Sequence, residues 1–279
     1  MLSKEEISFF HKEGYLLLPG ILSVDEVNLL REKLLGIFRS GEWKRSPFNT
    51  SNVLSDVYVN FPELIGISLK PSVVSIIKSL LGDDPVLMPE TAVHYKFYTG
   101  WHKDTSSQER AGKDFHLKPE SLMIEAGFYL QDNDEYGGGL TVMNGSQNTS
   151  DNWILPASKK NIFKRISNRI FPIKEEKNKE INPHGHKITD IRSRAGDLVI
   201  FNFRTSHRAT MPSACAVDQV PEHKHKLAFF NAFSVNNSTA REYLDFICSR
   251  PEPFYRSLSS RKIPDGVLKK KDELGITIY

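Results

Sequence analysis

In the first third of the chain the apolar positions recur with a helical period. Val27, Leu30, Leu34 and Phe38 are spaced by three and four residues and predict one apolar stripe on a helix that begins after Ser23. Ser3 followed by Glu6, and Ser23 followed by Glu26, set a hydroxyl and a carboxylate three residues apart, the pattern of a capping box at a helix start. Between the two helices, Tyr15-Leu16-Leu17-Leu18 predicts a short strand closed by the turn residues Pro19-Gly20. A third helix is expected over residues 71–81, with Val74, Ile77 and Leu81 facing inward and Gly82 as its stop.

From Pro85 the pattern changes to short β-prone runs separated by Gly, Asn and Asp clusters: 92–98, 122–130, 140–143, 197–203 and 227–235. That arrangement predicts a mainly β fold with flanking helices, a double-stranded β-helix (jelly roll, cupin-like) of two sheets rather than alternating βα units. An insertion over 150–194, rich in Lys and Asn and containing Pro183-His184-Gly185-His186, has the length typical of lids, binding loops or disordered segments. Residues 241–248 are expected to form a closing helix, and Lys269-Lys270-Lys271-Asp272 a solvated face. The simplest organisation is a single jelly-roll domain over 1–279. It has a helical N-terminal layer (1–84), a β core (85–237) interrupted by the insertion, and a C-terminal extension (238–279).

Composition narrows the partners. A chain of 279 residues can bury a sizeable core, and a formal charge of +3 is too small to argue for nucleic acid or an anionic membrane surface. No apolar run approaches the roughly 20 residues that span a bilayer. The opening Met1-Leu2-Ser3-Lys4-Glu5-Glu6 lacks a basic-then-apolar signal pattern, and Cys215 and Cys248 provide no disulfide framework. These features lead to the expectation of a cytoplasmic protein acting on a small molecule. Its oligomeric state is not encoded in any recognisable pattern.

The candidate chemistry lies in Trp101-His102-Lys103-Asp104 and in Phe203-Arg204-Thr205-Ser206-His207. Two imidazoles and one carboxylate are the donors of a facial triad, which holds Fe(II) on one face and leaves the opposite positions open. His102 and Asp104, two residues apart, leave the same face of an extended segment, whereas a helix would splay them by about 200°. A strand continuing from 92 to 101 is therefore expected to present them. A jelly roll can bring its end beside His207, which follows the strand 197–203.

The text around these residues resembles the phytanoyl-CoA dioxygenase family of Fe(II)/2-oxoglutarate-dependent oxygenases. The resemblance is carried by the HxD pair, by Gly138-Gly139-Leu140-Thr141-Val142-Met143-Asn144-Gly145-Ser146 and by Arg194-Ala195-Gly196-Asp197-Leu198-Val199-Ile200-Phe201 ahead of His207. Gly14-Tyr15-Leu16-Leu17-Leu18-Pro19-Gly20 with the helix after Ser23 extends it to about residues 5–237. The insertion is the main departure. The resemblance implies His102, Asp104 and His207 as iron ligands, 2-oxoglutarate and O2 as co-substrates, ascorbate as the reductant used in vitro, and succinate and CO2 as products. Related halogenases have Gly or Ala at the carboxylate position, so Asp104 favours hydroxylation of an unactivated C–H bond, or another oxidative outcome.

In the family a basic residue, usually Arg, follows the distal histidine and pairs with the far carboxylate of 2-oxoglutarate. Here the matching stretch, Glu222-His223-Lys224-His225-Lys226-Leu227, has no Arg. Lys226 is the best match by register, a one-residue slip would present His225, and Arg208 and Lys96 are further candidates. On 122–130, Glu125, Gly127 and Tyr129 share the parity expected to face the pocket, together with Trp101 beside the metal pair. Members of the family often have a Trp near Gly127, so space is expected there, filled by Tyr129 or by substrate. Lys103, Arg110, Lys113 and His116 near the rim suggest an anionic or polyhydroxylated substrate. Two other readings use the same residues: a cupin-like hydrolase or isomerase with Zn or Mn, and a non-catalytic small-molecule-binding barrel.

Overall fold

A computed structural model of the chain describes residues 1–41, 52–149, 182–251, 255 and 258–279. Both capping boxes form. The Ser3 hydroxyl accepts from the Glu6 amide and the Glu6 carboxylate accepts from the Ser3 amide, starting α1 (Lys4–Glu13); Ser23 and Glu26 do the same for α2 (Val24–Ser40). Along α2 the buried stripe is Val27, Leu30, Leu34 and Ile37, so the last inward position is Ile37, and Phe38 instead leans on Tyr95 at the edge of the core. Two one-turn helices, α3 (Val57–Asn60) and α4 (Ile65–Ser68), lead into α5 (Pro71–Leu81), which buries Val74, Ile77 and Leu81 as expected.

The strands are β1 (Tyr15–Leu18), β2 (Val53–Ser55), β3 (Val86–Tyr95), β4 (Met123–Tyr129), β5 (Leu140–Met143), β6 (Ile188–Asp190), β7 (Leu198–Asn202), β8 (His207–Ala209), β9 (Leu227–Ser234) and β10 (Thr277–Ile278). A large sheet has the order β1-β7-β4-β9-β3-β10, with β2 also paired to β3. It is antiparallel except where β10 runs parallel to β3. A small sheet has the order β6-β5-β8. Ile124, Ala126, Phe128, Ile200, Phe229 and Phe233 turn one face of the large sheet onto the helical layer, where Leu30 and Leu34 are fully buried. Complete burial of such a side chain contributes about 1.5–3 kcal/mol. The other face, with Tyr129, Val199, Phe201 and Phe230, packs against Leu140 and Val142 of the small sheet. Among the described residues the two sheets oppose each other without closing into a barrel.

Three expectations need correction. The strand expected at 92–98 begins at Val86 and ends at Tyr95, with a register shift between Leu87 and Thr91. It does not run on to Trp101, because Lys96 takes a left-handed φ of 54° and turns the chain. The end of the presumed insertion, Ile188–Asp190, is a strand paired to β5, while residues 150–181 lie outside the described part. The C-terminal extension contains the expected closing helix and leaves Lys269-Lys270-Lys271-Asp272 unburied, and it adds a helix and a strand that were not foreseen. After α6 (Ser106–Arg110) and α7 (Ser238–Cys248), α8 (Asp265–Leu274) buries Val267 and Leu274 and delivers β10 to the large sheet.

Candidate metal centre

The site is assembled by backbone bonds between two distant segments. His102 and His207 face each other across an antiparallel bridge, and each amide donates to the other's carbonyl at 2.9 Å. The Asp104 amide donates to the Phe203 carbonyl at 3.0 Å, so residues 102–104 are extended although they lie beyond β3. Alternation then sends His102 and Asp104 to one side and Lys103 to the other. The buried Lys103 ammonium donates to the carbonyls of Ser146 and Thr149, both at 2.8 Å. The turn before His207 is held from the N-terminus. Gly14, at φ 86°, accepts from the Thr205 hydroxyl at 3.0 Å, and a Cβ there would come within 2.5 Å of that oxygen. Asp197 has a comparable structural part, since its carboxylate accepts from the amides of Gly20 and Arg194.

Nε2 of His102 and Nε2 of His207 each lie 3.8 Å from Asp104 Oδ1. All three donor atoms are within 4.8 Å of one another. The opposite ring nitrogens are tied back: Nδ1 of His102 lies 2.7 Å from the Gly100 carbonyl, and Nδ1 of His207 lies 2.9 Å from the Thr205 carbonyl. Those carbonyls fix the proton on Nδ1 and leave the Nε2 lone pairs aimed at the common centre. Burial pushes both imidazoles below their ordinary pKa, with His102 adding to the effect on His207. Burial, reinforced by the charge of Glu90, pushes the Asp104 carboxyl up to about 8. Asp104 Oδ2 is buried with no hydrogen-bond partner among the described residues. Two neutral imidazoles and one carboxylate with a buried orphan oxygen make a donor set that fits a divalent cation.

These residues open onto a cavity of about 560 Å3, and Trp101, Glu125, Tyr129 and Lys226 also line it. The parity expected on β4 holds: Glu125 and Tyr129 face the cavity while Ile124, Ala126, Phe128 and Leu130 pack into the core. Of the four basic candidates, only Lys226 reaches the cavity. It is buried, no carboxylate pairs with it among the described residues, and burial lowers its ammonium to about 7. His225, on the opposite parity, turns its ring edge toward Tyr95. Lys96 lies over the Tyr95 ring at 5.0 Å and Arg208 over the Trp101 ring at 4.9 Å, and neither lines the cavity.

Gly127 does not open space for Tyr129 or a ligand. Phe230, its partner on β9, lies over it so closely that a Cβ would come within 2.7 Å of the ring. The basic rim is also not assembled as expected. Lys103 is consumed by backbone carbonyls, buried His116 lies 3.6 Å from the Glu109 carboxylate, Lys113 is outside the cavity, and Arg110 lines it. The rings of His184 and His186 lie 5.8 Å apart, tilted by 60°, and His186 contacts the Thr149 hydroxyl, apart from the metal candidates.

One group escaped the sequence reading. Glu90 lines the cavity, accepts from the hydroxyls of Tyr243 and Tyr255, and feels the charge of Arg250. Its signal was parity with His94, hidden because the strand was expected to start at 92 rather than 86.

The profile of the phytanoyl-CoA dioxygenase (PhyH) family matches residues 10–211. No curated protein sequence matches the chain. Among solved structures, EctD from S. alaskensis with 2-oxoglutarate and 5-hydroxyectoine superposes with a TM-score of 0.63 at 16% identity, covering 84% of this chain and 76% of that one. SnoK, the non-haem α-ketoglutarate-dependent carbocyclase of nogalamycin biosynthesis, gives 0.56 at 18% identity and covers 84% of each chain. HygX from Streptomyces hygroscopicus, with nickel and 2-oxoglutarate bound, gives 0.56 at 16% identity, covering 85% of this chain and 88% of its own. At these identities the neighbours establish the jelly-roll fold, and the family match spans well over half of the chain. The protein therefore belongs to the phytanoyl-CoA dioxygenase family of Fe(II)/2-oxoglutarate-dependent oxygenases.

Proposed function

We propose that this protein hydroxylates an unactivated C–H bond of a small molecule, with His102, Asp104 and His207 holding Fe(II) and Lys226 holding the far carboxylate of 2-oxoglutarate. The observation that carries the reading is the convergence of two Nε2 atoms, with their rings tied back through Nδ1, on one otherwise unpartnered carboxylate. With 2-oxoglutarate and O2, a bound iron supplies the oxidising chemistry, and succinate and CO2 are released.

The chain's own residues do the rest. The Gly100 and Thr205 carbonyls keep each imidazole in the Nδ1–H tautomer. Lys226 offers a single charged donor where the family usually has the fork of an arginine, so the carboxylate is gripped at one point rather than bidentately. Phe201 and Phe230 line the cavity with hydrocarbon and keep water from the reacting centre. The 2-oxoglutarate seen in EctD and HygX supports the co-substrate. Among the described residues no helix is long and apolar enough to cross a membrane.

The test is succinate formation from 2-oxoglutarate by purified protein with Fe(II), O2 and ascorbate. Succinate should form slowly without added substrate and vanish in His102→Ala, Asp104→Ala and His207→Ala, each of which should remain folded. A variant that kept full turnover would remove that residue from the ligand set. A wild-type protein that neither makes succinate nor binds 2-oxoglutarate would remove the oxygenase reading.

A further inference from the structure

The large sheet grades the cavity from one end to the other. Across β4, β9 and β3, Tyr129, Ala228 and His94 form one row, and Gly127, Phe230 and Ala92 form the next. Glu125 pairs with Ala232 two residues further along, and Glu90 follows the Thr91–Asn231 pair on the other side of β9. Lys226 stands beyond the first row, with its ammonium 5.7 Å from the Phe230 ring centre. Lys226 thus stands at one end of the cavity and the two glutamates at the other, and the Tyr129-to-Glu125 span is about 13 Å along the strand. The small side chain of Ala232 leaves both glutamates free to face inward.

Each carboxylate in the cavity except one has a partner. Asp104 faces the two imidazoles of the metal centre. Glu90 accepts two tyrosine hydroxyls and is offset by Arg250. Glu125 makes no hydrogen bond or ion pair among the described residues, and its Oε1 is fully enclosed. Tyr129, on the same face of β4 and wholly buried, also has a hydroxyl without a partner. Most buried polar groups that serve only the fold are bonded. A carboxylate and a phenol left unbonded in the same cavity point to a ligand that brings the missing donor.

We propose that Glu125 selects the substrate, and that the substrate is a small amine whose protonated nitrogen pairs with this carboxylate. The inference rests on the oxygenase reading, which assigns the other charges of the cavity. On that reading the charges of a divalent metal, the keto diacid, Asp104 and Lys226 cancel, and Glu90 is offset by Arg250. Glu125 remains, and burial, reinforced by Asp104 and Glu90, holds its carboxyl well above the ordinary range, so that it ionises only against a cation. A hydroxyl would meet the carboxyl in its neutral form, whereas an ammonium stabilises the ionised form and gains a charge-assisted bond. Of the basic rim that would have favoured an anion, Lys103 is held by backbone carbonyls, and Arg110 lines the cavity but is exposed, where solvent screens its charge.

Cyclohexylammonium, cyclohexanol and cyclohexanecarboxylate share a skeleton and differ in charge, and their binding to protein loaded with Zn(II) and 2-oxoglutarate can be compared by ligand-observed NMR. The ammonium should bind about tenfold or more tighter than either of the others. Glu125→Gln, which keeps the shape and removes the charge, should erase that preference, with its thermal transition recorded to confirm the fold. An absence of preference, whether all three bind alike or none binds, overturns the proposal, as does a preference that survives in Glu125→Gln. Calorimetric titration of the Zn(II)-loaded wild type with 2-oxoglutarate separates the two failures. No 2-oxoglutarate binding sinks the oxygenase reading itself, while binding without ammonium preference sinks only the assignment of Glu125.

Discussion

Lys226 is a cation placed where the fold alone gains nothing from it. Burial depresses its pKa to about 7 against an ordinary value near 10.5. Between those values the unfolded chain binds more protons than the folded one, so in the metal-free protein stability should rise with pH across that window. The penalty is fully present below pH 7 and lost as the pH passes the unfolded value. Lys226→Met should therefore be the more stable protein at pH 6, by about 2 °C or more in Tm, with the gap closing toward pH 10 in thermal melts. The same variant should bind 2-oxoglutarate about 10- to 100-fold more weakly by calorimetry, the worth of one charged hydrogen bond. Because the pairing needs the ammonium, wild-type binding should weaken as pH rises above 7 and be accompanied by proton uptake. A Kd independent of both pH and Lys226 would move the anchor elsewhere.

At the scale of the element, alternation along β4 and β9 decides what the cavity contains. Alternation on β4 was legible because Glu125, Gly127 and Tyr129 contrast with four apolar neighbours. The fate of Gly127 was not, since the ring that covers it belongs to β9 and arrives through sheet register. Gly127→Ala should cost about 1–3 kcal/mol by crowding Phe230. The double variant with Phe230→Leu should recover much of that loss, a coupling measurable by denaturant unfolding. Strands such as Ile188–Asp190 and His207–Ala209 escaped sequence reading because three residues hold too little alternation to register as a period. The stop of β3 escaped for another reason: a left-handed Lys96 carries no Gly or Asn signal, and its amide is held by the carbonyl of Lys226, just ahead of β9 and far along the chain.

Across the whole molecule, the metal centre joins segments about a hundred residues apart, and the C-terminal extension joins the sheet to the cavity wall. A ligand that binds only the folded state stabilises it by mass action. Ni(II) with 2-oxoglutarate at about 100 times Kd should raise stability by about 2.7 kcal/mol, and His207→Ala should lose that shift in a thermal scan. The extension is fastened by the Arg261 guanidinium, 2.7 Å from the Asp56 carboxylate, with both side chains nearly enclosed. Arg261→Met would leave Asp56 buried alone and should cost about 3 kcal/mol in denaturant unfolding.

The amino-acid sequence by itself determined what depends on near neighbours along the chain. The capping boxes, the helical stripes, the facing of β4 and the identity of the two histidines and one aspartate were all readable, because spacing within a few residues sets which side chains share a face. Only the tertiary structure decided which basic residue meets the cavity, that Glu90 and the tyrosines of the C-terminal helix region wall it, and that Glu125 is left without a partner. Those outcomes are set by strand register and by side chains that converge from distant parts of the chain. A one-residue slip in register would have reversed each of them.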